Sequence, residues 1–259
     1  MAVELAAAEY GAGPPIAILH GLFGSGRNWR SIAQQLAARH RVLAFDLRNH
    51  GASPWAEGMS YDEMVEDLQA SFRARRIEHA PLMGHSMGGK IAMLMALLHP
   101  DLVDRLVVVD IAPAANPPAL RAYVRAMRAV DLRGVRRRAE ADVRLAGPIP
   151  DPAERAFLLQ NLVIGDNAAH WQLNLETIER EFPRIVGFPV LPAGAAYPGP
   201  TLFVAGARSN YIQPEQEPVI RHLFPQARIM RIEGAGHWVH AEQPQAFLHA
   251  VGPFLSGTD

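Results

Sequence analysis

The sequence contains one serine in a setting suited to nucleophilic chemistry. Gly84, Ser86 and Gly88 form a G-x-S-x-G pattern between a short apolar run and a mostly apolar helical stretch. A serine on a sharp strand-to-helix turn projects its hydroxyl toward a helix amino terminus, whose dipole favours developing negative charge. The pattern is also compatible with a tightly packed turn without chemistry, but its position between strand and helix favours a nucleophile.

A serine hydroxyl becomes a good nucleophile only when a base accepts its proton. The chain has 11 histidines, most of which must be surface or packing residues. His237 follows the last predicted strand within Gly234–Trp238, which places it at the same edge of the sheet as Ser86. We therefore predict His237 as the base and interpret the nearby His240 as structural.

The acid that would orient His237 is less obvious. The turn after the strand Thr201–Ala205 reads Gly206–Tyr211 and carries no carboxylate. Asp110 ends the preceding apolar strand, where a buried carboxylate is costly unless it is hydrogen-bonded. Asp110 either accepts the His237 proton or binds backbone N–H groups, and the chain order Ser, Asp, His favours the first role. Weaker alternatives remain: Glu215, Glu233 or a Ser–His dyad without an acid.

A glycine-rich loop, His20–Ser25, follows the first convincing strand. Its backbone N–H groups are placed to face an oxyanion that develops on a bound acyl group. We predict that the hole pairs the N–H of Leu22 with that of Met87, and Phe23 is the second candidate for the loop donor. An ordinary glycine turn is the alternative interpretation.

Alternating strands and helices must position these residues, which predicts an α/β fold with a mostly parallel sheet flanked by helices. Short apolar runs predict strands at Ile16–Leu19, Val42–Phe45, Pro81–Gly84, Leu106–Val109, Thr201–Ala205 and Arg228–Ile232. Helical periodicity predicts helices at Ser31–Arg39, Tyr61–Arg76, Met87–Leu98, Glu215–Phe224 and Gln245–Leu255.

The alternation of strands and helices stops after Asp110 and resumes at Thr201. We predict a core formed by residues 1–111 and 201–259, and a helical cap inserted at 112–200 without a convincing strand. Within the cap, Arg133–Arg138, Glu154–Val163 and Thr177–Phe182 have helical patterns. Phe23, Trp171 and Trp238 are predicted to line an apolar substrate pocket beneath it.

Composition excludes several classes of function. A net charge of −1 gives no basic surface for nucleic acid or anionic membranes. The absence of cysteine excludes disulfides and thiolate metal sites and is compatible with a cytoplasmic protein. We expect no signal peptide, because no positive flank precedes an apolar run, and no membrane span, because the apolar stretches are far too short. No spacing typical of a metal or nucleotide site is present, so no metal or cofactor is expected.

Together these motifs resemble the α/β-hydrolase superfamily, and within it the bacterial serine esterases of the YbfF type. The resemblance rests on His20–Ser25, Asp46–Ser53, Gly84–Lys90, Asp110–Pro113 and Gly234–Pro244. It implies hydrolysis of small acyl esters, and in some members of acyl thioesters, without a cofactor. It also implies that Asp110 is the acid, because that branch places the acid after the sixth strand.

The sequence thus predicts a serine hydrolase that cleaves small carboxylic esters through an acyl-enzyme intermediate. The same site would also suit a lactone or C–C bond hydrolase. A further alternative from another class is a ligand receptor of the same fold that turns over slowly. The natural substrate and the oligomeric state are not specified by these patterns.

Overall fold

A seven-stranded sheet lies at the centre of the computed structural model, which describes residues 1–117, 119–166 and 168–258. The strands in these residues are β1 (Ala7–Tyr10), β2 (Pro15–Leu19), β3 (Arg41–Phe45), β4 (Ala80–His85), β5 (Val103–Val109), β6 (Leu162–Ile164), β7 (Ala169–Trp171), β8 (Thr201–Gly206) and β9 (Ala227–Ile232). The sheet order is β1-β3-β2-β4-β5-β8-β9, and only the β1–β3 pair is antiparallel. The predicted mostly parallel sheet is confirmed.

Helices connect the parallel strands and cover both faces of the sheet. They are α1 (Arg30–Leu36), α2 (Tyr61–Ala74), α3 (Met87–Leu98), α4 (Arg121–Ala129), α5 (Arg138–Leu145), α6 (Pro152–Leu158), α7 (Leu175–Val186), α8 (Glu217–Leu223), α9 (Val239–Glu242) and α10 (Pro244–Ser256). Ile32 of α1 and Phe247 of α10 pack into one apolar cluster. Leu68 of α2, Ile91 of α3 and Ile220 of α8 pack into the other. Burial of each such side chain stabilises the fold by about 1.5–3 kcal/mol.

The segment between β5 and β8 differs from the sequence prediction in three places. Residues 133–137 precede the helix instead of forming one, since α5 begins at Arg138. The predicted helix Glu154–Val163 is wrong beyond Leu158, where α6 ends and a 3-10 turn leads into β6. β6 and β7 form an antiparallel hairpin in a segment predicted to contain no strand. Each of its strands has three residues, too few to show an alternating pattern.

Helix α7 is tied to the core at its carboxyl end. Tyr61 Oη donates to Ile185 O at 2.6 Å, and Lys90 Nζ donates to Val186 O at 2.9 Å and Gly187 O at 2.7 Å. These donors meet carbonyls that have no partner within the helix. Burial lowers the pKa of Lys90 to about 7. Lys90 lies in the first turn of α3, the helix that begins directly after Ser86. The contact therefore joins the segment between β5 and β8 to the helix that follows the serine.

Candidate active site

Ser86 lies on a sharp turn between β4 and α3. Its backbone has φ 52° and ψ −118°, an unusual conformation for a residue with a side chain. Close packing of the turn explains the glycines on either side. A Cβ at Gly84 would lie 2.2 Å from Gly88 O, and one at Gly88 would lie 2.5 Å from His20 O. The predicted strand–turn–helix setting of Ser86 is confirmed.

His237 and Asp110 lie at the same edge of the sheet and are hydrogen-bonded. The distance from His237 Nδ1 to Asp110 Oδ2 is 2.7 Å. Asp110 is fully buried and follows the end of β5. Gly206 N donates to its Oδ1 at 3.0 Å, and Ser209 Oγ donates to its Oδ2 at 2.5 Å. Both carboxylate oxygens therefore have donors, which offsets the cost of burial.

The structure distinguishes Asp110 from the other candidate acids. Glu215 and Glu233 are exposed, and the carboxylate bonded to His237 Nδ1 is that of Asp110. Ser209 lies in the turn after β8, which carries no carboxylate. Its hydroxyl donates a hydrogen bond to the carboxylate of Asp110, which follows β5. With Nδ1 donating to Asp110, the imidazole Nε2 is left as a proton acceptor.

His50 contacts the loop His20–Ser25, which is predicted to supply an oxyanion-hole donor. Phe23 has φ 64°, and its N–H donates to His50 Nε2 at 3.3 Å. Burial lowers the pKa of His50 to about 3, so this imidazole is neutral and can accept the bond. Because the N–H of Phe23 is engaged, Leu22 is the better loop donor. Met87 begins α3, where N–H groups lack intrahelical acceptors. The roles of Leu22 and Met87 in an oxyanion hole remain predictions.

Ser86 and His237 line one cavity of about 220 Å³. Its wall is mostly apolar and is formed by Gly21, Leu22, Phe23, His85, Ser86, Ala119, Leu120, Tyr123, Glu154, Phe157, Leu158, Tyr211, His237 and Trp238. Phe23 and Trp238 therefore lie where the sequence predicts. The prediction for Trp171 is wrong. Its indole Nε1 donates to Met127 O of α4 at 2.8 Å, and Trp171 is not among the described lining residues.

Comparison with known proteins identifies the family. Residues 14–244 match the α/β hydrolase fold family. The chain belongs to the α/β-hydrolase family. It is 44% identical over 251 residues to the sn-1-specific diacylglycerol lipase ABHD11 of Mus musculus, a match that covers 94% of this chain and 81% of that protein. It is 36% identical to the esterase YbfF of Escherichia coli, with 93% of each chain covered.

A solved structure of an esterase from a marine microorganism has the same fold as this α/β-hydrolase. The two superpose with a TM-score of 0.94 and are 37% identical, and the match covers 98% of this chain and 100% of the other. The resemblance inferred from the sequence is thus confirmed at the level of family and fold. Within the described ranges, no helix combines the length and apolar character needed to cross a membrane.

Sequence reasoning missed two residues that hold His237 of this α/β-hydrolase in place. Tyr211 stacks on its imidazole, with ring centroids 4.0 Å apart and planes 19° apart. His85 Nε2 lies 2.9 Å from the backbone oxygen of His237. Burial lowers the pKa of His85 well below its usual value, so its ring is neutral and Nε2 carries the donated proton. His85 lies next to Ser86 in the G-x-S-x-G pattern, which marks it as close to the site. The pattern does not show which atoms its side chain contacts.

Proposed function

We propose that this protein is a serine esterase that hydrolyses carboxylic esters through an acyl-enzyme intermediate. The observation that carries the proposal is the 2.7 Å bond between His237 Nδ1 and buried Asp110, at the cavity that Ser86 lines. This bond orients the imidazole with Nε2 free to accept the Ser86 proton. The relatives named as an esterase and a diacylglycerol lipase support an ester as the substrate.

The proposed reaction has two acyl-transfer steps. His237 accepts the proton of Ser86 as Oγ attacks the ester carbonyl, and the N–H groups of Leu22 and Met87 stabilise the oxyanion. His237 then donates that proton to the leaving alcohol, and an ester bond joins the acyl group to Ser86. Water, deprotonated by His237, attacks this ester, releases the carboxylic acid and restores the Ser86 hydroxyl. Asp110 stabilises the imidazolium in each step.

The mostly apolar wall of the cavity suits the hydrocarbon part of an ester substrate. The cavity volume of about 220 Å³ is smaller than the roughly 300–1,000 Å³ of pockets that enclose drug-sized ligands. We therefore propose that short acyl chains fit best. An acyl thioester presents the same carbonyl to Ser86, so thioester hydrolysis is part of the proposal.

Removal of the Ser86 hydroxyl tests this function. Ser86→Ala should lower kcat for p-nitrophenyl butyrate by at least about 10⁴-fold, because no other group can form the acyl-enzyme. Ser256→Ala, at an exposed position of α10, is the matched control and should keep full activity. Full activity of folded Ser86→Ala would contradict the proposal. Release of a single equivalent of p-nitrophenol without further turnover by the unaltered protein would instead favour a slow-turnover receptor.

A further inference from the structure

One carboxylate stands out in the cavity that holds Ser86 and His237. Glu154 lies in the first turn of α6 and is the one Asp, Glu, Lys or Arg among the described residues of the lining. Across residues 1–117, 119–166 and 168–258, neither Lys nor Arg forms an ion pair with it. The active cavity therefore contains a negative charge that the chain does not neutralise.

Most other carboxylates of the segment between β5 and β8 differ from Glu154, because they have arginine partners. Five of them form ion pairs with arginine: Asp131 with Arg133, Glu140 with Arg137, Asp142 with Arg155, Glu179 with Arg128 and Glu181 with Arg184. These arginines lie close enough in sequence or space to satisfy each acid, yet none reaches Glu154. Asp151, Asp166 and Glu176 also lack an ion pair among the described residues, so what distinguishes Glu154 is its place in the wall of the cavity that Ser86 and His237 line.

A phenol holds Glu154 in place. Tyr123 Oη, from α4, donates a hydrogen bond to Glu154 Oε2. Burial and this carboxylate raise the pKa of Tyr123, so the phenol stays protonated and remains a donor. An ionised carboxylate has about four lone-pair sites, so a neutral phenol leaves acceptor capacity and the full negative charge available to a ligand.

We propose that Glu154 is a specificity-determining residue of this hydrolase, which favours an ester bearing a positively charged group over its neutral isostere. The proposal rests on the proposed esterase function. The charged group occupies the end of the cavity between α4 and α6, beside Tyr123 and Phe157, while the ester carbonyl lies at Ser86. Either half of the ester, acyl or alcohol, can carry the charge.

The expected size of the effect follows from the partly exposed position of Glu154. A unit charge a few ångströms from a carboxylate gains far less near water than in a dry interior. A preference of about tenfold in kcat/KM is therefore expected, and salt should weaken it. Tyr123 acts as a positioning residue, because it fixes the carboxylate that faces the ligand.

Two pairs of isosteric esters test the proposal. Butyrylcholine and 3,3-dimethylbutyl butyrate place the charge, or its neutral equivalent, on the alcohol side. Ethyl 4-(trimethylammonio)butanoate and ethyl 5,5-dimethylhexanoate place it on the acyl side. The kcat/KM ratio within each pair is measured for the unaltered protein, Glu154→Gln and Tyr123→Phe. Glu140→Gln, a partly exposed carboxylate of α5 outside the cavity lining, is the matched control. The ratio cancels any general loss of activity.

Glu154→Gln should lower the charged-to-neutral ratio by about tenfold in one pair, and that pair identifies the half of the ester that lies beside Glu154. Tyr123→Phe should lower the same ratio by a smaller factor, and Glu140→Gln should leave both ratios unchanged. Unchanged ratios in Glu154→Gln for both pairs would overturn the inference. Failure of the unaltered protein to hydrolyse either neutral ester would instead contradict the proposed function, so the two failures are distinguishable.

Discussion

At the scale of single residues, Asp110 depends on a group that its strand does not supply. Its position at the end of β5 made it a candidate from sequence, because a buried carboxylate needs partners. Ser209, which donates to Asp110 Oδ2, comes from a different turn. A serine in a polar turn has no sequence feature that indicates such a bond, so this part of the site required the structure.

Replacement of Asp110 by asparagine tests its proposed orienting role. Asp110→Asn should lower kcat for p-nitrophenyl butyrate by up to about 10⁴-fold, because the amide no longer fixes the tautomer or balances the imidazolium. Asp104→Asn is the matched control, since Asp104 lies in the same strand at its exposed end. Near-normal kcat in a folded Asp110→Asn protein would leave Asp110 with a structural role and favour a dyad.

Loss of the Ser209 hydroxyl should have a smaller effect. Ser209→Ala removes one hydrogen bond to the carboxylate, while Gly206 N and His237 remain bound to it. A hydrogen bond to a charged group contributes about 1.5–3 kcal/mol, so a fall in kcat of roughly 10- to 100-fold is expected, with KM little changed. Steady-state kinetics measure both constants. An unchanged kcat would show that the proposed acid does not need the Ser209 bond.

At the scale of elements, the turn between β4 and α3 requires glycine at Gly88. Gly88→Ala should lower the free energy of unfolding by more than about 3 kcal/mol or prevent folding, because the new methyl group would overlap His20 O. Gly252→Ala is the matched control within α10, where no atom of the described residues, apart from the helix's own nearby backbone, lies within 4 Å of an added Cβ. It should stabilise the protein by about 0.5–1 kcal/mol. Urea denaturation measures both, and equal stability of the two variants would contradict this packing argument.

Most strands and helices of the sheet region, including short strands such as β3, are predicted from the sequence, whereas the hairpin of β6 and β7 is not. Helix α2 shows apolar residues on one face, such as Met64 and Leu68, and its predicted and observed positions agree closely. The hairpin of β6 and β7 has three-residue strands that lack a pattern. The sequence predicts Trp171 in the pocket because an aromatic residue in an apolar segment is typical of a pocket wall. Its bond to Met127 O depends on tertiary packing that local sequence does not encode.

At the scale of the whole molecule, burial of four histidines makes stability depend on pH. Burial lowers the pKa of His20 to about 4 and those of His50 and His240 to about 3, and lowers that of His85 strongly. In the unfolded chain these imidazoles titrate near 6.5. Between roughly pH 6.5 and pH 4 the unfolded state therefore binds more protons. The free energy of unfolding is highest above that window and falls as pH falls through it.

Urea denaturation at about pH 7.5 and about pH 5.5 measures this dependence. Each buried histidine contributes up to about 1.4 kcal/mol per pH unit. His240→Phe should reduce the pH dependence by about that amount, because the ring still stacks on Trp29 but binds no proton. His222→Gln, at an exposed position of α8, is the matched control. Equal stability of the unaltered protein at both pH values would contradict the argument.

Detection of the acyl-enzyme tests the central claim most directly. The protein is mixed with p-nitrophenyl butyrate, quenched in acid at early times and digested for mass spectrometry. We expect the peptide carrying Ser86 to gain the mass of one butyryl group, and we expect Ser86→Ala to show no acylated peptide. Rapid turnover with the acyl group on another residue, or unreduced turnover by Ser86→Ala, would contradict the assignment of Ser86 as the nucleophile.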